Sequence, residues 1–142
     1  MTISLIKEQA EKYQRALTAL LVTGSKLERY DQSIQYSDET LELYDASGAR
    51  FTRTYECALK LFRAKDLYDS IHPATTYRDL IHHMASFEWV EQSEGWMEMK
   101  IIRNKLNHEY LPFDQELIYN FILSEALSEF QFVANKLKAD IN

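Results

Sequence analysis

The sequence predicts an all-α fold, a single domain over residues 1–142 built as an up-and-down bundle of four or five helices. Three observations predict it. A chain of 142 residues that is 46% hydrophobic and 27% charged suits one packed domain and excludes disorder. Three glycines and two prolines supply too little turn chemistry for a β-sandwich or barrel, which must turn about every 8–12 residues. Apolar residues recur at helical spacing along most of the chain.

From Ile3 to about Tyr30, the residues Tyr13, Leu17, Leu20, Leu21 and Leu27 mark one apolar face, with Gly24 weakening or ending a turn inside the stretch. Residues 31–36 read as a connection. Ser37, followed by Asp38 and Glu39, offers a hydroxyl cap and first-turn acids for a second helical stretch reaching about Tyr68. Gly48 leaves open whether this is two helices or one with a soft point; His72-Pro73 stops it. Thr76-Tyr77-Arg78-Asp79 resembles a capping box and opens a short helix to Ala85 or Phe87. Ser93 is the expected cap of a helix carrying Trp96, Met97, Met99, Ile101, Ile102 and Leu106, ended near His108 to Tyr110 by Pro112. Asp114-Gln115-Glu116 starts a last helix to about Lys138. Its stripe is Leu117, Ile118, Phe121, Ile122, Ala126, Phe130, Val133 and Leu137.

Net charge is −6, so the surface as a whole repels a polyphosphate, and nucleic acid would have to meet a small basic cleft. The same glycine scarcity excludes a Gly-rich phosphate loop. The single Cys57 makes no intrachain disulfide, which fits a reducing cytoplasm. The first residues turn charged at Lys7, against a signal peptide, and no apolar run reaches the roughly 18 residues of a membrane span.

One segment differs from the rest. Residues 101–110, IIRNKLNHEY, gather Arg103, Asn104, Lys105, Asn107, His108 and Tyr110 into the last turns of a helix. Arg103 offers a planar fork of donors that suits a phosphate. His108 offers an imidazole, a group that can take up or give a proton. Five positions separate them, about 140° on an ideal helix, so one helix does not aim both at one atom; a twofold pair of helices would. Two imidazoles and two guanidiniums in a shared cleft suit RNA cleavage by the 2′-hydroxyl. One imidazole takes the hydroxyl proton, the other protonates the leaving 5′-oxygen, and the guanidiniums stabilise charge on phosphorus. That reaction requires no metal and no cofactor. Spacing alone equally fits a solvated helix face with a histidine placed for the helix dipole. His82-His83 is a poor metal pair, since adjacent helical residues diverge by about 100°. Glu56 is a possible partner for Arg103, and Lys100 and Lys105 read as solvated.

The pattern Arg103-x4-His108-x-Tyr110, with polar Asn104 after the arginine, resembles the R-x4-H-x-Y signature of HEPN-domain toxins. Residues 50–60, RFTRTYECALK, resemble the RFEFTYELAWK stretch of the bacterial subfamily of nucleotidyltransferase substrate-binding proteins, with Arg53 in place of an apolar residue and Leu59 in place of Trp. Trp96-Met97-Glu98-Met99 before Arg103-Asn104 is similar to that subfamily's W-x-E-M run; Asn107 stands where it often has Ser or Thr. The resemblance, over about residues 40–138, implies a homodimer whose motif helices line a cleft. It implies metal-independent endoribonuclease activity with Arg103 and His108 as catalytic pair; Asn104 and Asn107, by their own chemistry, read as supporting residues that orient phosphate or the histidine, or as caps of the helix end. It also implies a minimal nucleotidyltransferase (MNT) antitoxin that adenylylates Tyr110, and RNA, either tRNA or mRNA, as substrate. The alternative within the same resemblance is a non-catalytic subunit that presents substrate to a nucleotidyltransferase.

Overall fold

Burial of one residue in every three or four organises the first helix, α1 (Thr2–Gly24): Ile6, Ala10, Tyr13, Leu17 and Leu20 all face inward. The structure, a computed structural model, describes residues 2–108 and 112–140. The described residues are helical or in loops and turns, as the sequence predicts, with no strand among them. The helices are α2 (Asp38–Asp69), α3 (Tyr77–Ser86), α4 (Ser93–Leu106), α5 (Pro112–Phe121) and α6 (Leu127–Asp140). A π-helical turn over Ile122–Ala126 joins α5 to α6 with helical dihedrals on both sides, so the three run on as one rod.

α1 stops at Gly24, six residues short of the expected Tyr30. The chain leaves the helix there because Tyr30 finds better partners elsewhere. Its backbone N–H donates to Asn120 Oδ1 at 2.7 Å, and Asn120 Nδ2 donates to its carbonyl at 3.0 Å. Tyr30 also packs among Tyr36, Tyr44 and Tyr119, with ring centroids 4.9–5.2 Å away. Burial, helped by neighbouring Tyr36, pushes Tyr44 up to about 12, so its phenol stays neutral and donates to the Glu28 carbonyl.

α2 is a single helix through Gly48, which is buried. A Cβ there would come within 3.1 Å of Leu106 Cδ2, so the glycine lets the end of α4 approach the α2 backbone closely. Ser37 caps α2 as expected, its Oγ accepting from the Thr40 N–H, and Thr76 caps α3 in the same way from Asp79. α3 ends on Glu88 at φ 64°, a left-handed residue that lets the Trp89 N–H reach back to the Met84 carbonyl.

Ser93 is not the cap of α4. That position falls to Gln92, whose side chain does no capping. Buried Glu129 of α6 takes over instead, accepting from the Glu91 and Gln92 N–H groups at 3.1 Å and from Trp96 Nε1 at 2.9 Å. Trp96 sits at the centre of the aromatic core, beside Tyr55, Phe62 and Phe130.

The last rod starts at Pro112, two residues before the expected Asp114, with proline at the first helical position where its missing N–H costs nothing. Ile118, Ile122, Ala126 and Phe130 are all buried. Steps of four outrun the 3.6-residue period, and the wider π turn lets this stripe stay on one face. Leu117, expected on that stripe, is 55% exposed.

Candidate functional site at the C-terminal end of α4

Past Ile102, α4 leaves the core. Arg103 and Lys105 are half-buried, Asn104 is exposed, and the helix ends at Leu106, two to four residues before the expected stop. Asn107 is the C-cap, its N–H donating to the Arg103 carbonyl at 3.3 Å; the His108 N–H donates to the Lys105 carbonyl at 3.2 Å. Both Asn107 and His108 are exposed. Tyr110, the expected modification site, lies outside the described residues.

The Arg103 guanidinium lies over the Tyr55 ring of α2, 5.5 Å from its centroid, and its Nε donates to Asn104 Oδ1 at 3.2 Å. Tyr55 is fully buried. Its hydroxyl donates to Tyr77 Oη at 2.7 Å, and Tyr77 donates to the Trp96 carbonyl at 2.6 Å. Burial raises the Tyr55 phenol, partly offset by the Tyr77 hydrogen bond and the Arg103 charge; burial raises Tyr77 as well. Both rings therefore stay neutral under a cation, which suits a cation–π stack. Lys100 sits over Tyr77 in the same manner, 5.1 Å from the ring centroid.

No carboxylate pairs with Arg103 among the described residues; Glu56 is exposed and does not reach it. An arginine held by an aromatic platform and free of an acidic partner keeps donors for an incoming anion. Lys105 is not simply solvated: it pairs with Asp114 across the turn at 3.4 Å. No hydrogen bond links the Arg103 and His108 side chains within this chain. The motif thus brings Arg103 and Asn104 together and leaves Asn107 and His108 facing outward at the end of the same helix.

The second motif region explains the platform. Arg50 donates to the Ala19 carbonyl and Thr23 Oγ1 at the end of α1, Phe51 stacks on Tyr55 at 5.9 Å, and Tyr55 carries Arg103. The role of Tyr55 was not readable from spacing, because it depends on where α4 crosses α2. The two adjacent histidines are divided, as their helical divergence requires: His83 Nδ1 lies 2.7 Å from buried Asp66, and His82 is exposed.

Two of the cavities along α4 bear on phosphate binding. The larger, about 680 Å³, is walled by Glu94, Glu98, Glu116 and Glu125 with Arg29 alone opposing them, a lining that repels phosphate. The smaller, about 420 Å³, lies at the Asn107 end between α2 and α5. No helix among the described residues is long and apolar enough to cross a membrane. No protein-family model matches the chain, and none of the curated proteins matches it.

Proposed function

We propose that this chain is the toxin of a HEPN/MNT toxin–antitoxin pair: a metal-independent endoribonuclease that works as a homodimer in the cytoplasm. The supporting observation is the Arg103 guanidinium stacked on Tyr55 with no carboxylate partner among the described residues, on the same helix end that exposes His108. Arg103 holds the scissile phosphate and neutralises charge as it builds on phosphorus. His108 takes the 2′-hydroxyl proton, and its symmetry mate gives a proton to the leaving 5′-oxygen. The balance is complete within the RNA: a bond forms from O2′ to phosphorus, the bond to O5′ breaks, and the products carry a 2′,3′-cyclic phosphate and a 5′-hydroxyl. Asn104 steadies Arg103 through its hydrogen bond to Nε, and Asn107 ends the helix beside His108.

Tyr110 is the site at which a nucleotidyltransferase partner attaches AMP. Two residues from His108, that group brings a phosphate and a purine to the working end of α4, blocking RNA by charge and by bulk. The test is RNA cleavage by the purified protein in EDTA. Cleavage with cyclic phosphate ends, lost in Arg103→Ala and His108→Ala and absent on an all-2′-deoxy substrate, is the expected result. Cleavage that survives both substitutions overturns the proposal.

A further inference from the structure

The 420 Å³ groove at the Asn107 end of α4 has the size of a small-ligand site, a class that spans about 300–1,000 Å³. Its floor is one face of α2, where Asp45, Gly48, Ala49 and Thr52 follow one another at helical spacing; Leu106 and Asn107 form one side and Tyr119 the other. Buried Gly48 is covered by the Leu106 side chain, whose Cδ2 lies 3.1 Å from where a Cβ would stand, and half-buried Leu106 is the groove's apolar contact beside the small Ala49.

Two polar side chains line it, Asp45 and Asn107. Asp45 is exposed, and one carboxylate oxygen, Oδ1, accepts from the Tyr119 hydroxyl at 2.6 Å. Tyr119 is itself buried, 2% exposed, so this bond orients the carboxylate and leaves Oδ2 without a partner among the described residues. Thr52 spends its hydroxyl proton on the Gly48 carbonyl at 3.1 Å and does not compete as a donor. Asn107, exposed on the other side, carries an amide that both donates and accepts.

We infer that this groove is a base-recognition subsite selective for guanine, with Asp45 accepting from the base and Asn107 addressing its carbonyl. An ionised carboxylate only accepts hydrogen bonds. Of the four RNA bases, guanine alone presents two parallel N–H donors, N1 and N2, on its Watson–Crick edge, beside the O6 acceptor that an amide N–H can meet. Sequence-specific RNA recognition works on such unstacked single-stranded bases, through that edge. Asn107 is the neighbour of His108, so a base in the groove places its nucleotide at the end of α4 where the proposed chemistry occurs. The inference rests on the ribonuclease reading for its biological use and on the groove alone for the binding itself.

The experiment separates the two. The four ribonucleoside 5′-monophosphates are titrated by NMR into the His108→Ala protein, which binds without cleaving, and into the same protein carrying Asp45→Asn. The asparagine keeps an acceptor for Tyr119 but puts a donor where guanine needs an acceptor. The expected result is that GMP binds at least tenfold more tightly than AMP, CMP or UMP, and shifts the amides of Ala49, Thr52 and Asn107. Asp45→Asn should erase the tenfold preference without moving the melting temperature. Equal binding of all four nucleotides, no binding, or a GMP preference that survives Asp45→Asn overturns the subsite. GMP binding to a wild-type protein that cleaves no RNA supports the subsite and removes the ribonuclease reading. RNA cleavage without guanosine preference, unchanged by Asp45→Asn, does the reverse.

Discussion

The two ends of α4 are built on opposite rules. At the N-terminal end the buried donors are matched: Glu129 takes the free N–H groups of Glu91 and Gln92 and the Trp96 indole N–H, and Trp96 is closed in by Tyr55, Phe62 and Phe130. At the C-terminal end, among the described residues, Arg103 has a platform but no carboxylate partner, and His108 bonds only through its backbone. One end of the helix is saturated and the other is left with unused hydrogen-bonding capacity. The saturated end fixes the helix, and a fixed helix can hold out unsatisfied groups at low entropic cost. Tyr55 and Tyr77 connect the ends, since their hydroxyl chain terminates on the Trp96 carbonyl while their rings carry Arg103 and Lys100.

If that division is correct, mutations at the two ends affect different measurements. The largest effect belongs to the open end. His108→Ala and Arg103→Ala should each lower the RNA cleavage rate by about 10²–10⁴-fold while changing stability by less than about 0.5 kcal/mol; rate assays paired with urea melts check both halves. At the saturated end, Glu129→Ala strands three donors, Trp96 Nε1 buried among them, and should cost about 3 kcal/mol in a urea melt. Its cleavage rate per folded molecule should stay near that of the native protein. Tyr55→Leu sharpens the middle of the comparison: the cation–π platform is lost, and the cleavage rate should fall about tenfold, whereas Tyr55→Phe keeps the ring and the rate.

A smaller effect concerns acid. Burial raises the Asp66 carboxyl, but Ser70, the Ala74 N–H and His83 bind its ionised form strongly enough to hold it below its ordinary value. A carboxyl depressed on folding adds stability above its unfolded pKa, about 3.9, and loses it as pH falls through the lower folded value. Denaturant midpoints measured from pH 6 down to 2 should therefore drop more steeply for the native protein than for Asp66→Asn. The smallest effect is a gain: Glu88→Gly relieves a left-handed backbone at the end of α3 and should add about 0.5–1 kcal/mol.

What could be read from the sequence was what neighbours within a turn or two decide. Ser37 and Thr76 cap helices that begin one residue later, and both were legible. So was the polar run 103–108 as an outlier at a helix end. Ser93 misled because its job is done by Glu129, dozens of residues away, and no local pattern announces a carboxylate arriving from another helix. Tyr30 misled for the same reason, through Asn120. The π turn hides in the steps of four from Ile118 to Phe130, a spacing that a helix reading tolerates without comment. At the site, Arg103 and His108 were visible as residue types. Tyr55 beneath Arg103 and the Asp45–Tyr119 pair beside Asn107 depend on helix crossings, which spacing does not encode.

The most direct test sets the two ends of α4 against each other in one assay. Initial rates of RNA cleavage in EDTA are measured for Arg103→Ala, His108→Ala and Glu129→Ala, at a temperature where all three are folded. The account predicts a rate close to native for Glu129→Ala and losses of at least about 100-fold for the other two. Rates that instead follow the melting temperatures, with Glu129→Ala the slowest and Arg103→Ala and His108→Ala near native, contradict it.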